Sequence, residues 1–385
     1  MRATNLSNEF AKRGYSVDIL VTKGMSDKPF FETHNNVHLV LLSEFNKTPN
    51  SAQLLESEKK LRSKIIKQKK FIRYFAGKIK QLDISIAYRI RFLRKGIEFR
   101  SYFLQEDPDI VIPFGLSYLE PILSAVYDLD CKVVYAEKNA PEKEFPSKNL
   151  EEYRYLIKLL KKTNAVIVQT QNSKQFFDNE LDNVYVINNP IKQNLPMPFS
   201  GERRKTIVNF CRMSSQKNLE LLLKAFKKLQ AYYPVFKLEV YGNTVEESEE
   251  QYKELVLDKI SEFELKDSAF ILPPAADVHS RVLDAAMFVS SSDYEGLSNS
   301  MIEAMAIGLP CICTDCLGGG TREVMVDEEN GLIVPMNDVD AMYQAMKQFV
   351  DNPEFAEECG RNASKIREKL SVEKTAQQWI DVFQR

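Results

Sequence analysis

Short apolar runs alternate with helical stretches along the whole chain, and this alternation restricts the fold more than any other feature of the sequence. Such runs are typical of strands buried in a parallel sheet, and the stretches between them have the periodicity of amphipathic helices. The sequence therefore predicts the α/β class, with two Rossmann-like domains that face each other across a cleft. The runs form two series, YSVDILV, VHLVLL, DPDIVIPFG, CKVVYAE and NAVIVQT, then KTIVNF, FKLEVYG, SAFILP, MFVSS, PCICT and GLIVP.

The segment VYVINNPIKQNLP, residues 184–196, lies between the two series and is rich in Asn and Pro. That composition is typical of a linker, and a chain of 385 residues exceeds what one hydrophobic core usually serves. We therefore expect an N-terminal domain at 1–188 and a C-terminal domain at 189–366. A final amphipathic helix at 367–385 is expected to pack back on the N-terminal domain.

Residues 59–100 concentrate positive charge, with 15 Lys and Arg against only Asp83 and Glu98, although the net charge of the chain is −2. Apolar residues recur in this segment at helical spacing, which predicts a basic helix with an apolar stripe. Two interpretations stay open: the helix docks on an anionic membrane surface, or it packs on the core with a solvated basic face. Nucleic-acid binding is not expected. The stripe consists of Leu61, Ile65, Ile72, Phe75, Ile79 and Leu82.

The remaining composition predicts a cytoplasmic protein, with peripheral attachment to the inner face of the plasma membrane as a further option. No apolar run is long enough to span a membrane, and the first residues lack the pattern of a signal peptide. The six cysteines are expected to be free thiols. No metal site is expected, because neither the cysteines nor the three histidines have ligand spacing, and no Asp-x-Asp pair lies near the motifs below.

The stretch DYEGLSNSMIEAMAIGLP, residues 293–310, contains two glutamates eight positions apart. The preceding MFVSS is a predicted strand, so Glu295 lies on the loop at its carboxyl end and Glu303 lies near the start of the next helix. Backbone N–H groups around Leu297, Ser298 and Asn299 are then free to point at an anion.

A capping box is the other interpretation of this stretch, because Ser300-Met-Ile-Glu303 has the required spacing. A second stretch, NFCRMSSQKNLELLLKAF, favours a ligand site. Its Arg212 and Lys217 lie on a predicted loop between a strand that ends at Phe210 and a helix that begins near Asn218. Two such cations suit a diphosphate, since Arg can bind it bidentately and Lys adds a point charge.

Together the two stretches resemble the retaining glycosyltransferases of the GT-B class, family four in the sequence classification. That family carries two glutamates separated by seven residues within a motif that here is EGLSNSMIEAMAIGLP, and an Arg and Lys-Asn loop that here is Arg212 and Lys217-Asn218. The likeness continues in GGGTREVMVDEENGLIVP, residues 318–335, and in the Asn-Pro linker. It is specific over most of 184–385 and only general over the N-terminal half.

The resemblance implies a donor site for a nucleotide sugar, with UDP as the expected nucleotide. Arg212 and Lys217 would stabilise charge on the departing nucleoside diphosphate, Glu295 would hold the donor sugar, and Glu303 would hold the ribose. In this family, retention is thought to proceed by front-face attack, in which the leaving phosphate takes the acceptor's proton, and no metal or other cofactor is implied. The donor-binding loop would consist of Gly296, Leu297, Ser298 and Asn299.

The implied acceptor is a growing glycan of a surface polysaccharide or a glycoprotein glycan, and a polyprenyl-diphosphate-linked glycan is one candidate. On the N-terminal side the family often has Glu-(His or Arg)-Asn-x-Pro, and this chain has AEKNAP. Lys138 and Asn139 are therefore acceptor-side candidates, although a merely solvated Lys138 is equally compatible with the sequence.

Two departures from the family pattern affect these expectations. Cys211 stands where the family often has Gly before the Arg. The family also begins with a strand and a Gly-rich loop before the helix that here starts at Met1, so the N-terminal sheet is expected to lack its first strand. A shortened sequence, a naturally short chain and a partner chain that completes the sheet all fit this. The alternative function is a non-catalytic partner subunit of a two-chain glycosyltransferase. A partner chain or a second copy of this chain in a homodimer is therefore an expected partner.

Overall fold

The computed structural model describes residues 2–22, 33–76, 92, 96–244 and 246–385. In this part of the chain, strands alternate with helices in two domains, one on each side of the Asn-Pro segment. The paired strands of the described residues are all parallel. The predicted α/β class with two Rossmann-like domains is confirmed.

The N-terminal domain consists of short strands and helices in regular alternation. Its elements in chain order are α1 (Arg2–Lys12), β1 (Val17–Val21), β2 (Val37–Leu41), α2 (Leu42–Phe45), α3 (Pro49–Ala76), α4 (Ile97–Glu106), β3 (Ile110–Val111), α5 (Leu116–Ala125), β4 (Lys132–Ala136), α6 (Pro141–Glu144), α7 (Leu150–Leu160), β5 (Ala165–Val168), α8 (Gln171–Phe177) and β6 (Val184–Val186). The prediction of a linker over 184–196 was wrong at its first three residues. These form β6, because Val184, Tyr185 and Val186 pair with β5 and Val184 is buried.

The N-terminal strands form two parallel sheets, one of β1 and β2 and one of β3, β4, β5 and β6 in that order. Both sheets lie between the same two helical layers. Leu20 of β1 and Val111 of β3 pack in one apolar cluster, and Val17 of β1 and Ile110 of β3 pack in the other. No strand within the described ranges pairs with both β1 and β3. The expectation that the N-terminal sheet lacks its first strand stays a prediction.

The C-terminal domain has one six-stranded sheet with the order β12-β11-β10-β7-β8-β9. The order reverses between β7 and β10, which lie side by side at the centre. Ligands of such sheets bind outside the carboxyl ends of the strands at this point. The elements are β7 (Arg204–Arg212), α9 (Leu219–Tyr232), β8 (Lys237–Asn243), α10 (Glu247–Glu262), β9 (Ala269–Leu272), α11 (Val278–Arg281), β10 (Ala285–Ser290), α12 (Asn299–Ala306), β11 (Cys311–Thr314), α13 (Gly320–Val324), β12 (Leu332–Val334), α14 (Val339–Asp351), α15 (Pro353–Ser364) and α16 (Ile366–Lys369).

The last helix, α17 (Val372–Phe383), leaves the C-terminal domain and packs against α1. The rings of Phe383 and Phe10 have centroids 5.6 Å apart, and Trp379 joins the same apolar cluster as the N-terminal sheet. The chain thus crosses between the domains twice. The crossings touch each other, since the Ile191 amide donates to the Leu370 carbonyl at 2.9 Å.

Helix α3 packs on the core through polar side chains, and the predicted apolar stripe was wrong at Leu61. Arg62 is 2% exposed and donates to the Ser124 hydroxyl at 3.0 Å and to the Ser124 carbonyl at 2.6 Å. Leu61 is 47% exposed, and Ile65 is half-buried. Of the helices in the described ranges, none is both long and apolar enough to cross a membrane. The other stripe positions fall outside the described side chains: Ile72, Phe75, Ile79 and Leu82.

Candidate active site

A cavity of about 500 Å³ opens at the carboxyl ends of β7 and β10, at the point where the sheet order reverses. The loops that follow these two strands, the last residue of β7 and the helix α12 supply the C-terminal residues selected from the sequence. Gly296 and Leu297 lie in the second loop but do not line the cavity. The predicted residues that do line it are Arg212, Lys217, Glu295, Ser298, Asn299 and Glu303.

Lys217 and Glu295 meet in this cavity as an ion pair, in which the Lys217 ammonium donates to Oε1 of Glu295. The Ser292 hydroxyl donates to the same oxygen at 3.1 Å. The two side chains are only 13% and 15% exposed, so their attraction is less screened than that of a surface pair. The sequence placed these two residues on separate loops, and the fold brings their charged ends together.

The two loops are tied to each other by further hydrogen bonds. Asn218 is the N-cap of α9, in the left-handed region at φ 43°, and its side chain donates to Asp293 at 2.8 Å. The Ser291 hydroxyl donates to the Lys217 carbonyl at 2.8 Å. The side-chain amide of Gln216 donates to the Tyr294 carbonyl at 2.6 Å. These bonds hold the Lys217 and Glu295 backbones at a fixed separation, which is the preorganisation that a charge-stabilising site needs.

Arg212 is the last residue of β7, so its predicted position on the loop was wrong. The strand continues past Phe210 because Cys211 and Arg212 pair with Gly242 and Asn243 of β8. The Arg212 side chain is 57% exposed and forms an ion pair with Glu249 of α10 at 3.2 Å. It therefore stands at the open side of the cavity, whereas Lys217 lies inside.

Glu303 does not form the capping box that its spacing permitted. Helix α12 begins at Asn299 with Ser298 as its N-cap, and Ser298 makes no side-chain cap bond. Glu303 is thus two residues deeper in the helix than the capping-box position. Its Oε2 instead lies 2.8 Å from Nε2 of His279, a residue of α11. Both side chains are buried. The capping-box interpretation was wrong, and the carboxylate is oriented by another helix.

The loop of Gly296 and Leu297 faces the N-terminal domain. The Leu297 amide donates at 2.7 Å to Oε1 of Gln169, which follows β5. A Cβ atom at Gly296 would lie 2.6 Å from that oxygen and 3.0 Å from the Lys138 carbonyl. Only glycine permits such a close approach at this position. The domains are therefore in contact beside Glu295.

Lys138 and Asn139 follow β4 on the opposite side of this contact, and both are exposed. The Lys138 ammonium lies over the Phe114 ring, 5.1 Å from its centroid. Their backbone amides donate to Oε1 of the buried Glu137, at 2.7 and 3.1 Å. Burial and the nearby Glu144 carboxylate raise the pKa of Glu137 from its ordinary 4.5 to about 7. Glu137 thus shapes the loop in which the acceptor-side candidates lie.

Residues 193–366 match the protein family described as glycosyl transferases group 1. An uncharacterized glycosyltransferase of Haemophilus influenzae is 24% identical over 98% of this chain and 94% of its own length. The poly(ribitol-phosphate) alpha-N-acetylglucosaminyltransferase of Staphylococcus aureus is 28% identical over 60% of this chain. The chain spans about half of that protein, since the match covers 46% of it. Over residues 193–366 the chain is therefore similar to glycosyl transferases group 1, and these matches support a GT-B glycosyltransferase.

Solved structures of this class have the same fold. Sucrose-phosphate synthase of Thermosynechococcus elongatus superposes with a TM-score of 0.74 at 16% identity, over 98% of this chain and 91% of its own. Anabaena Alr3699/HepE in complex with UDP has a TM-score of 0.65 at 17% identity, over 73% of this chain and 80% of its own. The predicted GT-B fold is confirmed.

Several residues that line this cavity were not selected from the sequence. The most relevant is His279, because it contacts Glu303; its isolated position in the sequence gave no signal. The stretch after β9 could have been found, since it follows a strand whose carboxyl end lies at the same edge of the sheet. The missed lining residues with rings or branched side chains are Phe210, Tyr241, Pro274, Val278 and His279.

The thiols and carboxylates of the described residues do not assemble a metal site, since no group of three or more His, Cys, Asp or Glu among them is placed to hold an ion. The six cysteines are free. Burial raises the pKa of Cys211, which lines the cavity, to about 12. Its thiol therefore stays protonated at neutral pH, and Cys211 contributes a small apolar side chain to the lining of the cavity, at the position where the family often has Gly.

Proposed function

We propose that this glycosyltransferase moves a sugar, with retention of its anomeric configuration, from a UDP-sugar to a glycan acceptor, and that it needs no metal ion. The observation that carries the proposal is the partly buried Lys217–Glu295 pair in the same cavity as Arg212 and Glu303. UDP is proposed because a protein of the same fold was solved with it. A glycan-assembly role is supported by the Staphylococcus relative, whose name specifies transfer to poly(ribitol-phosphate).

Lys217 and Arg212 stabilise the leaving nucleoside diphosphate in this proposal. Negative charge grows on the diphosphate as the bond to the sugar breaks, and fixed cations in a partly buried site stabilise that charge. Lys217 is held in place by Glu295, and Arg212 by Glu249. Neither cation therefore has to be ordered when the donor arrives, which lowers the entropic cost of binding.

Glu295 and Glu303 bind hydroxyl groups of the donor. Lys217 and Ser292 both donate to Oε1 of Glu295, so its Oε2 is the oxygen that accepts from the donor sugar. Glu303 lies further along the cavity on α12 and accepts from the ribose. Ser298 and Asn299, at the N-terminus of this eight-residue helix, place backbone amides between the two carboxylates, where a diphosphate belongs.

The proton of the acceptor hydroxyl passes to the leaving phosphate in this mechanism. Attack on the same face as the departing group retains the anomeric configuration, and it requires no carboxylate pair of the double-displacement kind. The Lys217 ammonium then offsets the negative charge of the leaving phosphate while the phosphate accepts the proton. The role of the chain is to position the donor and stabilise charge.

The acceptor enters from the N-terminal domain, beside Lys138 and Asn139. We propose a polyprenyl-diphosphate-linked glycan at the inner face of the plasma membrane, because α3 presents exposed Lys59, Lys60 and Lys64 and each basic residue near an anionic surface contributes about 1 kcal/mol. Sedimentation with anionic and with neutral vesicles tests this. Replacing the three lysines by Glu should abolish binding to the anionic vesicles only, and equal binding of the variant would contradict it.

A thermal-unfolding screen with UDP, GDP and ADP tests the donor site. A ligand at 100 times its dissociation constant adds about 2.7 kcal/mol of stability, so UDP should raise the melting temperature of the wild type more than the other nucleotides do. Glu303→Ala should reduce the shift, and Lys224→Ala, on the exposed face of α9, should leave it unchanged. The absence of any shift would contradict the proposal.

The alternative function, a non-catalytic partner subunit, makes a different prediction. Such a chain could bind UDP yet would release none from any UDP-sugar unless a second glycosyltransferase chain were present. Among the described residues, β1 and β3 belong to different sheets, and a partner chain that completes the N-terminal sheet would fit this alternative. Turnover by the purified chain alone, measured as UDP released from a panel of UDP-sugars with simple glycan acceptors, separates the two functions.

A further inference from the structure

His279 lies outside the motifs that carry the proposed function, yet it is in direct contact with one of their residues. It is on the short helix α11, between β9 and β10, and its Nε2 lies 2.8 Å from Oε2 of Glu303. Both side chains are buried. An ionised carboxylate only accepts hydrogen bonds, so Nε2 carries the proton and His279 donates. A charge-assisted bond of this kind is stronger than one between neutral groups.

The imidazole ring is itself held in place. The Phe210 ring packs edge-on against it, with centroids 5.4 Å apart and an interplanar angle of 77°. Phe210 comes from the central strand β7 and lines the same cavity. The orientation of His279 is therefore determined by the core of the sheet, and the orientation of Glu303 is determined in turn by His279.

We infer that His279 is a positioning residue for recognition of the nucleotide ribose. It engages Oε2 of Glu303, and no hydrogen bond from the described residues reaches Oε1, which is left for a ligand in the cavity. This inference rests on the proposed function, since it needs Glu303 to bind the ribose. The inference adds His279, a residue outside the two-glutamate motif, and makes the ribose interaction depend on it.

The opposing interpretation is that His279 merely links α11 to α12. The two interpretations predict different effects of a His279 variant on the affinity for nucleotides with and without ribose hydroxyls. A structural link would, when broken, weaken the binding of every nucleotide. A positioning residue would, when removed, weaken only ligands whose ribose hydroxyls can contact Glu303.

The experiment measures, by calorimetry, the affinities of UDP and of 2′,3′-dideoxy-UDP for the full chain and its variants. His279→Gln and His279→Asn form a matched pair, because a Gln amide nitrogen can take the place of Nε2 and an Asn amide nitrogen falls near Nδ1. His279→Phe keeps a flat ring against Phe210 without a donor. Thermal unfolding of each variant establishes that it is folded.

His279→Phe and His279→Asn should bind UDP about tenfold more weakly, the order expected for the loss of a charge-assisted hydrogen bond. Both variants should bind the dideoxy nucleotide as tightly as the wild type binds it. His279→Gln should keep most of the wild-type affinity for UDP. Adding His279→Phe to Glu303→Ala should cause no further loss.

Three results would overturn the inference while leaving the proposed function intact: equal losses for both nucleotides, equal behaviour of the Gln and Asn variants, or additive losses in the double variant. A wild type that binds none of UDP, GDP and ADP would overturn the proposed function, and this inference with it.

Discussion

The side-chain oxygen of Gln169 accepts a hydrogen bond from the backbone amide of Leu297 at 2.7 Å, and this bond joins the two domains beside Glu295. It is one of several such contacts. The Thr170 hydroxyl donates to the Gly318 carbonyl at 2.7 Å, and the Gln171 amide donates to Glu323 at 2.9 Å. One loop of the N-terminal domain thus contacts the loop of Glu295 through Leu297 and the segment after β11 through Gly318 and Glu323, so the geometry of the candidate site depends on how the domains meet.

Gln169→Ala should destabilise the chain by about 1–3 kcal/mol, because Leu297 is buried and its amide would lose this acceptor. Denaturant unfolding measures the change. Gln175→Ala, on the exposed surface of α8, is the matched control and should stay within about 0.5 kcal/mol of the wild type. Equal stabilities of the two variants would show that the interdomain bond contributes nothing.

Lys217→Ala should lower the rate of sugar transfer by about 100-fold or more, the usual cost of removing one group that stabilises transition-state charge. Lys217→Arg should retain part of the activity, because it keeps the positive charge. The readout is UDP released from the donor sugar that the wild type uses. Lys224→Ala is the control for the loss of a lysine in this region. If its transfer rate were as low as that of Lys217→Ala, the result would contradict the proposed role of Lys217.

Glu137→Gln should change how stability depends on pH. The pKa of Glu137 is raised from 4.5 to about 7 in the folded chain, so the folded state binds this proton more tightly than the unfolded state. Its contribution to stability is fully present below about pH 4.5 and is lost as the pH rises through about 7. The wild type should lose more unfolding free energy than Glu137→Gln between these values. Parallel curves from denaturant unfolding across this range would contradict the shift.

Gly318→Ala should be more damaging than Gly115→Ala, although both glycines lie at positive φ, +95° and +87°. An added Cβ costs about 1–3 kcal/mol at either position because of the backbone conformation. At Gly318 it would also lie 2.0 Å from the Glu295 carbonyl oxygen, whereas at Gly115 nothing lies within 4 Å. The unfolding free energies and transfer rates of both variants check this. Similar losses would mean that the loop at Glu295 can move without cost.

The sequence was a good guide to which residues meet in the cavity, because loops at the carboxyl ends of parallel strands meet at one edge of a sheet. That rule and the family motif together are enough to bring Lys217 and Glu295 to one place. The rule does not give side-chain partners. The contact of Glu303 with His279 was therefore missed, and the sequence did not exclude a capping box at Ser300 and Glu303. Those partners depend on the packing of α11 against α12, which residue spacing does not encode.

The basic segment shows a different limit. Periodicity placed Leu61 on the buried face of α3, but Arg62 occupies it, because the guanidinium finds the Ser124 hydroxyl and carbonyl in the core. A hydrophobic pattern assumes that buried faces are apolar, and a helix docked through hydrogen bonds violates that assumption. The arginines of the segment are therefore not all available to a membrane, and the exposed lysines of α3 carry that proposal.

Helix α17 follows the whole C-terminal domain in the sequence, yet Trp379 and Phe383 complete an apolar cluster with Leu6 and Phe10 near the start. On the ribosome, the N-terminal domain emerges first and has to wait for this helix before one face of its sheet is covered. Domains usually fold as units in the order in which they are made. Here the domain made first is completed last, because part of its apolar cluster stays uncovered until α17 has been made.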